Sequence, residues 1–277
     1  MTDERSTAFV PGHITAFFSA HPADEPAAAG SCGAGLTLTD GVEVTVSEGD
    51  GLTVDGDDVD VEPVERVLDA LDVDADVAVE TELPIGAGFG VSGAAALGTA
   101  LAANQAFDCG RSENDLIRTA HVAEVEAGTG LGDVVAQARG GIPIRFEPGA
   151  PGYGRLDGVP ATTRVEYVSF GELSTVDVLE GDTSDLTAAG ERALTTLERN
   201  PRLSTLVAAA QEFTRDVGLL VPEVAEAIDA VEDAGGEASM AMLGRTVFAL
   251  GTGLSDAGYD PDVCRTHPAG MRLIEEE

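Results

Sequence analysis

The sequence predicts an α+β fold in two domains, from three observations. A strand, a glycine-rich loop and the start of a helix follow one another between residues 76 and 107. Other predicted strands precede residue 150, whereas three successive helices are predicted from Ser184 onward. Pro148–Gly158 is rich in Gly and Pro, which favours a domain boundary, and 277 residues are enough for two domains. We therefore expect an N-terminal domain over residues 1–155 and a C-terminal domain over residues 156–277.

The central stretch of the chain contains the glycine-rich loop. Asp76–Leu83 alternates apolar and polar residues, which is typical of a half-buried strand. Ser92–Phe107 is rich in Ala and Leu and lacks Pro, which favours a helix. Glycines between them adopt positive φ without steric cost, so that several backbone N–H groups can face one anion. The pattern predicts a phosphate-binding loop at a helix start, with binding residues Pro84, Gly86, Ala87, Gly88, Phe89, Gly90, Val91, Ser92, Gly93 and Ala94.

Three other interpretations fit parts of this stretch. Leu83–Phe107 has no charged residue over 25 positions, but its opening Pro and glycines and its Asn104 argue against a membrane span. Gly88–Gly93 fits the dinucleotide pattern G-x-G-x-x-G, with Asp108 twenty residues beyond Gly88. A second helix rather than a parallel strand is predicted to follow, which argues against that fold. A tight turn without a ligand is the third alternative.

The charge of the chain excludes several functions. It has 50 Asp plus Glu against 15 basic residues, a formal charge of −35, and every basic residue is Arg. The lack of lysine excludes the P-loop lysine and Schiff-base chemistry. The negative charge disfavours nucleic acid and anionic membranes as partners, and it is typical of a halophilic protein. Because no signal peptide is apparent, we expect a cytoplasmic protein.

Two further segments before the central stretch contain polar residues in unusual positions. His13 and Thr15 lie inside an apolar run after the strand Ala8–Val10, where they are either a buried pair or face a pocket. Leu36–Val46 alternates on both sides of Asp40-Gly41, which predicts a β-hairpin.

The helix after the central stretch carries candidate acidic residues. Ser112 is its predicted N-cap, and the helical spacing places His121 and Glu124 on one face while Glu126 points away. The turn G-T-G-L-G-D follows and ends at Asp133. The remaining predicted helices are Val61–Leu71, Ser184–Arg199, Leu203–Val217 and Pro222–Ala234, and the remaining strands are Gly141–Phe146, Arg164–Phe170, Ala238–Leu243, Thr246–Leu250 and Met271–Ile274.

Taken together, the motifs P-G-H-I-T-A-F-F, G-S-C-G-A-G, P-I-G-A-G-F-G-V-S-G and G-T-G-L-G-D resemble those of the GHMP kinases. Within that superfamily they are most similar to the archaeal pantoate kinases, over nearly the whole chain. The resemblance implies an N-terminal ribosomal-protein-S5-domain-2-like domain and a C-terminal α/β sandwich domain. It implies an ATP- and Mg²⁺-dependent enzyme that phosphorylates a small molecule, pantoate, in coenzyme A biosynthesis. A second copy of the chain, in a homodimer, is the one protein partner that we expect.

The resemblance also implies roles for single residues. Ser92 and Glu124 would coordinate Mg²⁺, and Asp133 would act as the general base. Taken alone, Glu124 also fits a solvated helix face and Asp133 a helix N-cap. Arg145 is the candidate for the acceptor's carboxylate, because a guanidinium binds carboxylates bidentately. The other candidate acceptor-binding residues are His13, Ser31, His121 and Thr175.

Two departures from the family pattern keep other functions open. Its third motif, normally glycine-rich, is A-S-M-A-M-L-G over Ala238–Gly244, and its usual serine pair is Val91-Ser92. One alternative is a kinase for another hydroxy acid or polyol, such as shikimate, homoserine or mevalonate. Another is a nucleotide-binding regulatory protein without catalysis.

The charge predicts that stability depends on salt. Self-repulsion acts over a Debye length of about 3 Å at 1 M salt and about 10 Å at 0.1 M. We expect the melting temperature to fall when the salt concentration is lowered from 1 M to 0.1 M. An unchanged melting temperature would reject this interpretation of the acidic composition.

Overall fold

The computed structural model describes residues 5–172 and 183–275 and has the α+β composition that the sequence predicts. The strands are β1 (Arg5–His21), β2 (Gly30–Ser47), β3 (Leu52–Val54), β4 (Asp57–Asp58), β5 (Asp76–Thr81), β6 (Pro143–Glu147), β7 (Arg155–Gly158), β8 (Arg164–Glu172), β9 (Ala238–Ala241), β10 (Gly244–Leu250), β11 (Asp262–Arg265) and β12 (Arg272–Ile274). The helices are α1 (Glu62–Leu71), α2 (Val91–Ala106), α3 (Glu113–Ala127), α4 (Asp133–Arg139), α5 (Ser184–Arg199), α6 (Leu203–Val217), α7 (Pro222–Asp233) and α8 (Gly253–Asp256).

The strands of the described ranges form two sheets. The first has the order β12-β1-β2-β5-β3-β4, with β6 paired to both β2 and β7. Its neighbouring strands are antiparallel, except that β3 and β5 are parallel. The second sheet is antiparallel, in the order β11-β8-β10-β9. Because β12 pairs with β1, the first sheet joins strands from both ends of the chain.

Strand β1 is central to the packing. It is buried without interruption from Ala8 to Ser19, and α2, α5 and α6 all contact it. A Cβ added to Gly190 of α5 would overlap the Phe18 carbonyl, so that this helix lies directly against the strand backbone. The cover of helices explains why β1 is a continuous apolar run rather than an alternating one.

The hairpin predicted at Asp40-Gly41 is wrong. Strand β2 continues through both residues and pairs with β1 along its length. Between the pairs Pro11–Gly41 and His13–Thr37, three residues of β2 lie opposite one of β1. Neither Asp40 nor Gly41 has the positive φ that a type I′ turn requires. The Asp-Gly pair therefore marks an irregularity of the ladder, a bulge-like feature that redirects the following side chains of β1.

The central stretch folds as a strand, a loop and a helix. β5 leads through the glycines into α2, and α3 follows α2 directly, with no parallel strand between them. Helix α2 is buried around most of its circumference, which accounts for its lack of charge. In the described ranges no helix has both the length and the apolar character needed to cross a membrane. The sequence did not predict the short elements β3, β4, β7, β11 and α8. It predicted α4 only in the alternative that makes Asp133 a helix N-cap, whereas the N-cap is Gly132 and Asp133 is the first helical residue.

Candidate active site

The glycine-rich loop has the backbone conformation that its sequence predicts. Gly86, Gly88 and Gly90 have φ of 75°, 92° and 65°, values that favour glycine. Gly90 immediately precedes α2, which begins at Val91. The loop therefore brings its backbone to the N-terminus of a 16-residue helix, an arrangement suited to binding phosphate.

Distant parts of the chain hold this loop in place. A Cβ on Gly244 would overlap the Ala87 carbonyl, and Thr246 Oγ1 donates a hydrogen bond of 2.8 Å to the same oxygen. Gln137 Nε2 donates to the Gly90 carbonyl at 2.9 Å. The start of β10 thus packs on the loop, and the one glycine of this strand, Gly244, lies where the contact leaves no room for a side chain.

A cavity of about 230 Å³ opens beside the loop. It is lined by Thr15, Ile85, Gly86, Gly88, Phe89, Gly90, Val91, Ser92, Gly93, Glu124, Thr129, Asp133, Met242 and Leu243. The structure therefore brings the three predicted catalytic and metal-binding side chains, Ser92, Glu124 and Asp133, to one place beside the loop.

Glu124 is the most buried carboxylate of this cavity, with 3% of its surface exposed. Its Oε1 accepts hydrogen bonds from Ser92 Oγ at 2.5 Å and from Thr129 Oγ1 at 2.8 Å. Burial raises the pKa of Glu124 to about 7, aided by the charge of Asp133 and opposed by these two hydrogen bonds. Glu126 instead pairs with Arg66 at the surface, so that one of the two carboxylates faces inward, as the helical spacing predicts.

Asp133 is the first residue of α4 and is held by His13. The His13 Nδ1 and Asp133 Oδ1 atoms are 2.7 Å apart, and a carboxylate only accepts, so that Nδ1 carries the hydrogen. Burial lowers the pKa of His13, which keeps the ring neutral. Burial alone would raise the pKa of Asp133, but hydrogen bonds from His13 and Thr15 and the charge of Arg145 outweigh it and hold the pKa low.

Arg145 is a buried cation without a carboxylate partner. It is 1% exposed, its Nε donates to the Ser31 carbonyl at 3.4 Å, and its Nη1 has no hydrogen-bond partner among the described residues. Within residues 5–172 and 183–275 it forms no ion pair. Burial lowers the pKa of Arg145, and Asp133 opposes this effect. A guanidinium in this state is suited to bind an anion.

Arg145 and Ser31 border a second, smaller cavity. Its lining is Thr15, Phe18, Ser31, Leu131, Gly132, Asp133, Arg145 and Leu243. Thr15, Asp133 and Leu243 border both cavities. Asp133 therefore lies between the phosphate loop on one side and the buried guanidinium on the other.

The other three residues predicted to bind the acceptor do not line either cavity in the described part of the chain. His13 lines neither cavity and contacts the site through Asp133. His121 is buried, lines neither cavity, and forms a hydrogen bond of 2.8 Å between its Nε2 and the Ala29 carbonyl, close to Ser31. Thr175 lies outside the described residues.

Several residues that the structure places at the site had no role in the sequence prediction, among them Thr129, Gln137, Met242 and Thr246. Thr129 lies within the predicted G-T-G-L-G-D turn, which offered a signal. Gln137 lies four residues after Asp133, on the same side of α4. Met242 and Thr246 reach the loop through tertiary packing, for which the sequence gives no local signal.

Comparisons with known proteins agree with the motif pattern. Residues 61–141 match the GHMP kinases N-terminal domain. The chain is 38% identical over 264 residues to the pantoate kinase of Thermococcus kodakarensis, covering 88% of this chain and 86% of that protein. It is 33% identical over 250 residues to the pantoate kinase of Methanocaldococcus jannaschii, covering 87% and 91%.

A solved structure described as a phosphotransferase related to the CoA biosynthesis pathway is similar along nearly the whole chain. Its TM-score is 0.87 at 32% identity, covering 97% of this chain and 98% of that one. The resemblance inferred from the motifs and the predicted GHMP kinase-like fold are confirmed.

The contact between Thr246 and the loop predicts an effect on nucleotide binding. Thr246→Val keeps the side-chain shape but leaves the buried Ala87 carbonyl without its hydroxyl donor, at a cost of about 1–3 kcal/mol. We expect the nucleotide dissociation constant, measured by calorimetry, to rise about fivefold or more. Thr214→Val is the matched control, because this buried Thr bonds the Ala210 carbonyl within α6. An equal change in both variants would contradict a specific role for Thr246.

Proposed function

This chain belongs to the pantoate kinase family of the GHMP kinases, and we propose that it transfers the γ-phosphate of ATP to the primary hydroxyl of pantoate. The product is 4-phosphopantoate, an intermediate of coenzyme A biosynthesis. The observation that carries the proposal is the position of Asp133, which borders both the cavity of the phosphate loop and the cavity of Arg145.

The second cavity has the groups that this acceptor needs. Pantoate has a carboxylate at one end and a primary hydroxyl at the other. The unpartnered Nη1 of Arg145 supports binding of the carboxylate, and Ser31 beside it offers a hydroxyl. His121 fixes the backbone next to Ser31 through Ala29 and stays a candidate acceptor-binding residue. We propose that the primary hydroxyl lies at Asp133.

Asp133 has the properties of a general base. Its low pKa keeps the carboxylate ionised at neutral pH, so that it can accept the hydroxyl proton as phosphate is transferred. The Nδ1–H of His13 fixes one carboxylate oxygen. Phosphoryl transfer depends mainly on alignment and charge neutralisation. The loop backbone would bind the phosphates on one side of Asp133, and Arg145 would align the acceptor on the other side.

Ser92 and Glu124 are suited to hold Mg²⁺. Their oxygen atoms are 2.5 Å apart beside the phosphate loop, and no cation of the described residues forms an ion pair with Glu124. Among the described residues, no group of three or more His, Cys, Asp or Glu side chains could hold a metal ion by itself. This suits Mg²⁺, which is usually bound through one or two carboxylates together with phosphate oxygens. When bound, the ion would neutralise phosphate charge.

We also propose a cytoplasmic enzyme that is adapted to high salt, and the charge of −35 and the absence of lysine support the adaptation to salt. Two other functions differ from the main proposal in their acceptor or in catalysis. One is a kinase for homoserine, shikimate or mevalonate, and the other is a regulatory protein that binds nucleotide without turnover. Incubation with ATP and each alcohol, followed by ³¹P NMR of the product, separates them. Phosphorylation of pantoate at its primary hydroxyl supports the proposal, and no phosphorylation of pantoate overturns it.

The role of Asp133 predicts a loss of turnover without loss of binding. Asn at position 133 keeps an oxygen that can accept from His13 but is too weak a base to take the hydroxyl proton. We expect Asp133→Asn to lower kcat by roughly 10²-fold or more, while the dissociation constant of ATP changes little. A kcat near that of the wild type would reject Asp133 as the base.

The role of Glu124 predicts a coupled dependence on Mg²⁺ and pH. We expect Glu124→Gln and Ser92→Ala to need higher Mg²⁺ concentrations for half-maximal rate, whereas Glu126→Gln, on the outer face of α3, should behave as the wild type.

Because a protonated carboxyl does not bind a cation, the apparent Mg²⁺ affinity should be full above the Glu124 pKa of about 7 and fall at lower pH. Unchanged Mg²⁺ saturation in Glu124→Gln would show that the metal is held elsewhere.

A further inference from the structure

One residue that borders both cavities has an unusual backbone conformation. Leu243 has φ of 63°, in the left-handed region, which residues with a Cβ rarely adopt. Glycine adopts this conformation without steric cost. The segment corresponds to the motif that is normally glycine-rich in the family, so that a leucine here is a departure from that pattern.

The neighbouring residues hold this conformation from both sides. The Met242 N–H donates to the Thr15 carbonyl at 2.9 Å. On the other side, Gly244 lies so close to Ala87 that it has no room for a Cβ. The turn therefore cannot relax at Leu243 without losing a contact to β1 or to the phosphate loop. Strained residues of this kind concentrate at functional sites, so that the leucine side chain is a candidate for a functional role.

Leu243 belongs to an apolar group in the acceptor cavity. Phe18, Leu131 and Leu243 line this cavity together with the polar residues Asp133 and Arg145. Phe18 is 3% exposed and belongs to the core. This cavity has a volume of only about 20 Å³, so that a molecule that extends from Arg145 past Asp133 would reach into the larger cavity of the phosphate loop. It would pass Leu243, which borders both cavities, and would lie between charged groups and an apolar lining.

We propose that Leu243, with Phe18 and Leu131, is a specificity-determining residue that selects an acceptor with methyl groups between its carboxylate and its hydroxyl. This inference rests on the proposed function. Pantoate has two methyl groups on the carbon beside its primary hydroxymethyl group, whereas homoserine and shikimate have none. Contact with an apolar lining distinguishes such molecules, since one missing methylene group in a hydrophobic pocket lowers kcat/KM by roughly 10- to 200-fold.

The test compares pantoate with 2,4-dihydroxybutanoate, which has the same carboxylate and hydroxyls but lacks both methyl groups. We expect wild-type protein to prefer pantoate by at least about tenfold in kcat/KM. Leu243→Ala and Leu243→Gly should each reduce this preference about fivefold or more. Leu243→Gly should also melt at a higher temperature than Leu243→Ala, because glycine relieves the positive φ.

Ile85→Ala is the matched control. Ile85 is 52% exposed and borders the nucleotide cavity but not the acceptor cavity, so that its replacement should affect both acceptors equally. An acceptor preference in Leu243→Ala and Leu243→Gly within twofold of the wild-type value overturns the inference and leaves the proposed function intact. A wild-type protein that phosphorylates neither acceptor overturns the proposed function, and this inference with it.

Discussion

The candidate site depends on charged side chains that are buried with few partners. Glu124 and Arg145 are 3% and 1% exposed, in a protein whose acidic residues lie mostly at the surface. Burying a charge is unfavourable unless hydrogen bonds or an opposite charge offset it. Ser92 and Thr129 offset part of this cost at Glu124, while Arg145 keeps an unpartnered Nη1. Buried charged side chains with incomplete pairing in a cleft are typical of sites that bind a ligand.

Strand β1 connects the parts of this site. The backbone N–H of His13 donates to the Phe89 carbonyl of the phosphate loop at 2.9 Å, and its side chain holds Asp133. Thr15, two residues further along the strand, borders both cavities, and its carbonyl accepts a hydrogen bond from the backbone N–H of Met242. The irregularity of the ladder, where residues 38–40 of β2 lie opposite Gly12, comes just before His13 and Thr15 in β1. One strand therefore aligns the loop, the proposed base and the turn that contains Leu243.

The parts of the fold that local sequence determines could be predicted. Positive φ at Gly86, Gly88 and Gly90 follows from what glycine alone adopts freely, and the inward position of Glu124 follows from helical periodicity. The Asp40-Gly41 hairpin was mispredicted because the same dipeptide serves in a bulge within one long strand. The packing of Gly244 on Ala87 joins residues more than 150 positions apart, which no local pattern encodes. The domain division near residue 155 stays a prediction.

The central claim is that Arg145 binds the carboxylate of the acceptor, because the chain's negative charge makes a local cation necessary for binding an anionic acceptor. The measurement is kcat/KM for pantoate and for the neutral analogue in which the carboxylate is replaced by a hydroxymethyl group, with wild-type protein and with Arg145→Ala. A charged hydrogen bond of about 1.5–3 kcal/mol predicts a wild-type preference for pantoate of roughly 10- to 150-fold, which Arg145→Ala should abolish. A preference that survives in Arg145→Ala would contradict the account, because the acceptor's carboxylate would then be bound elsewhere.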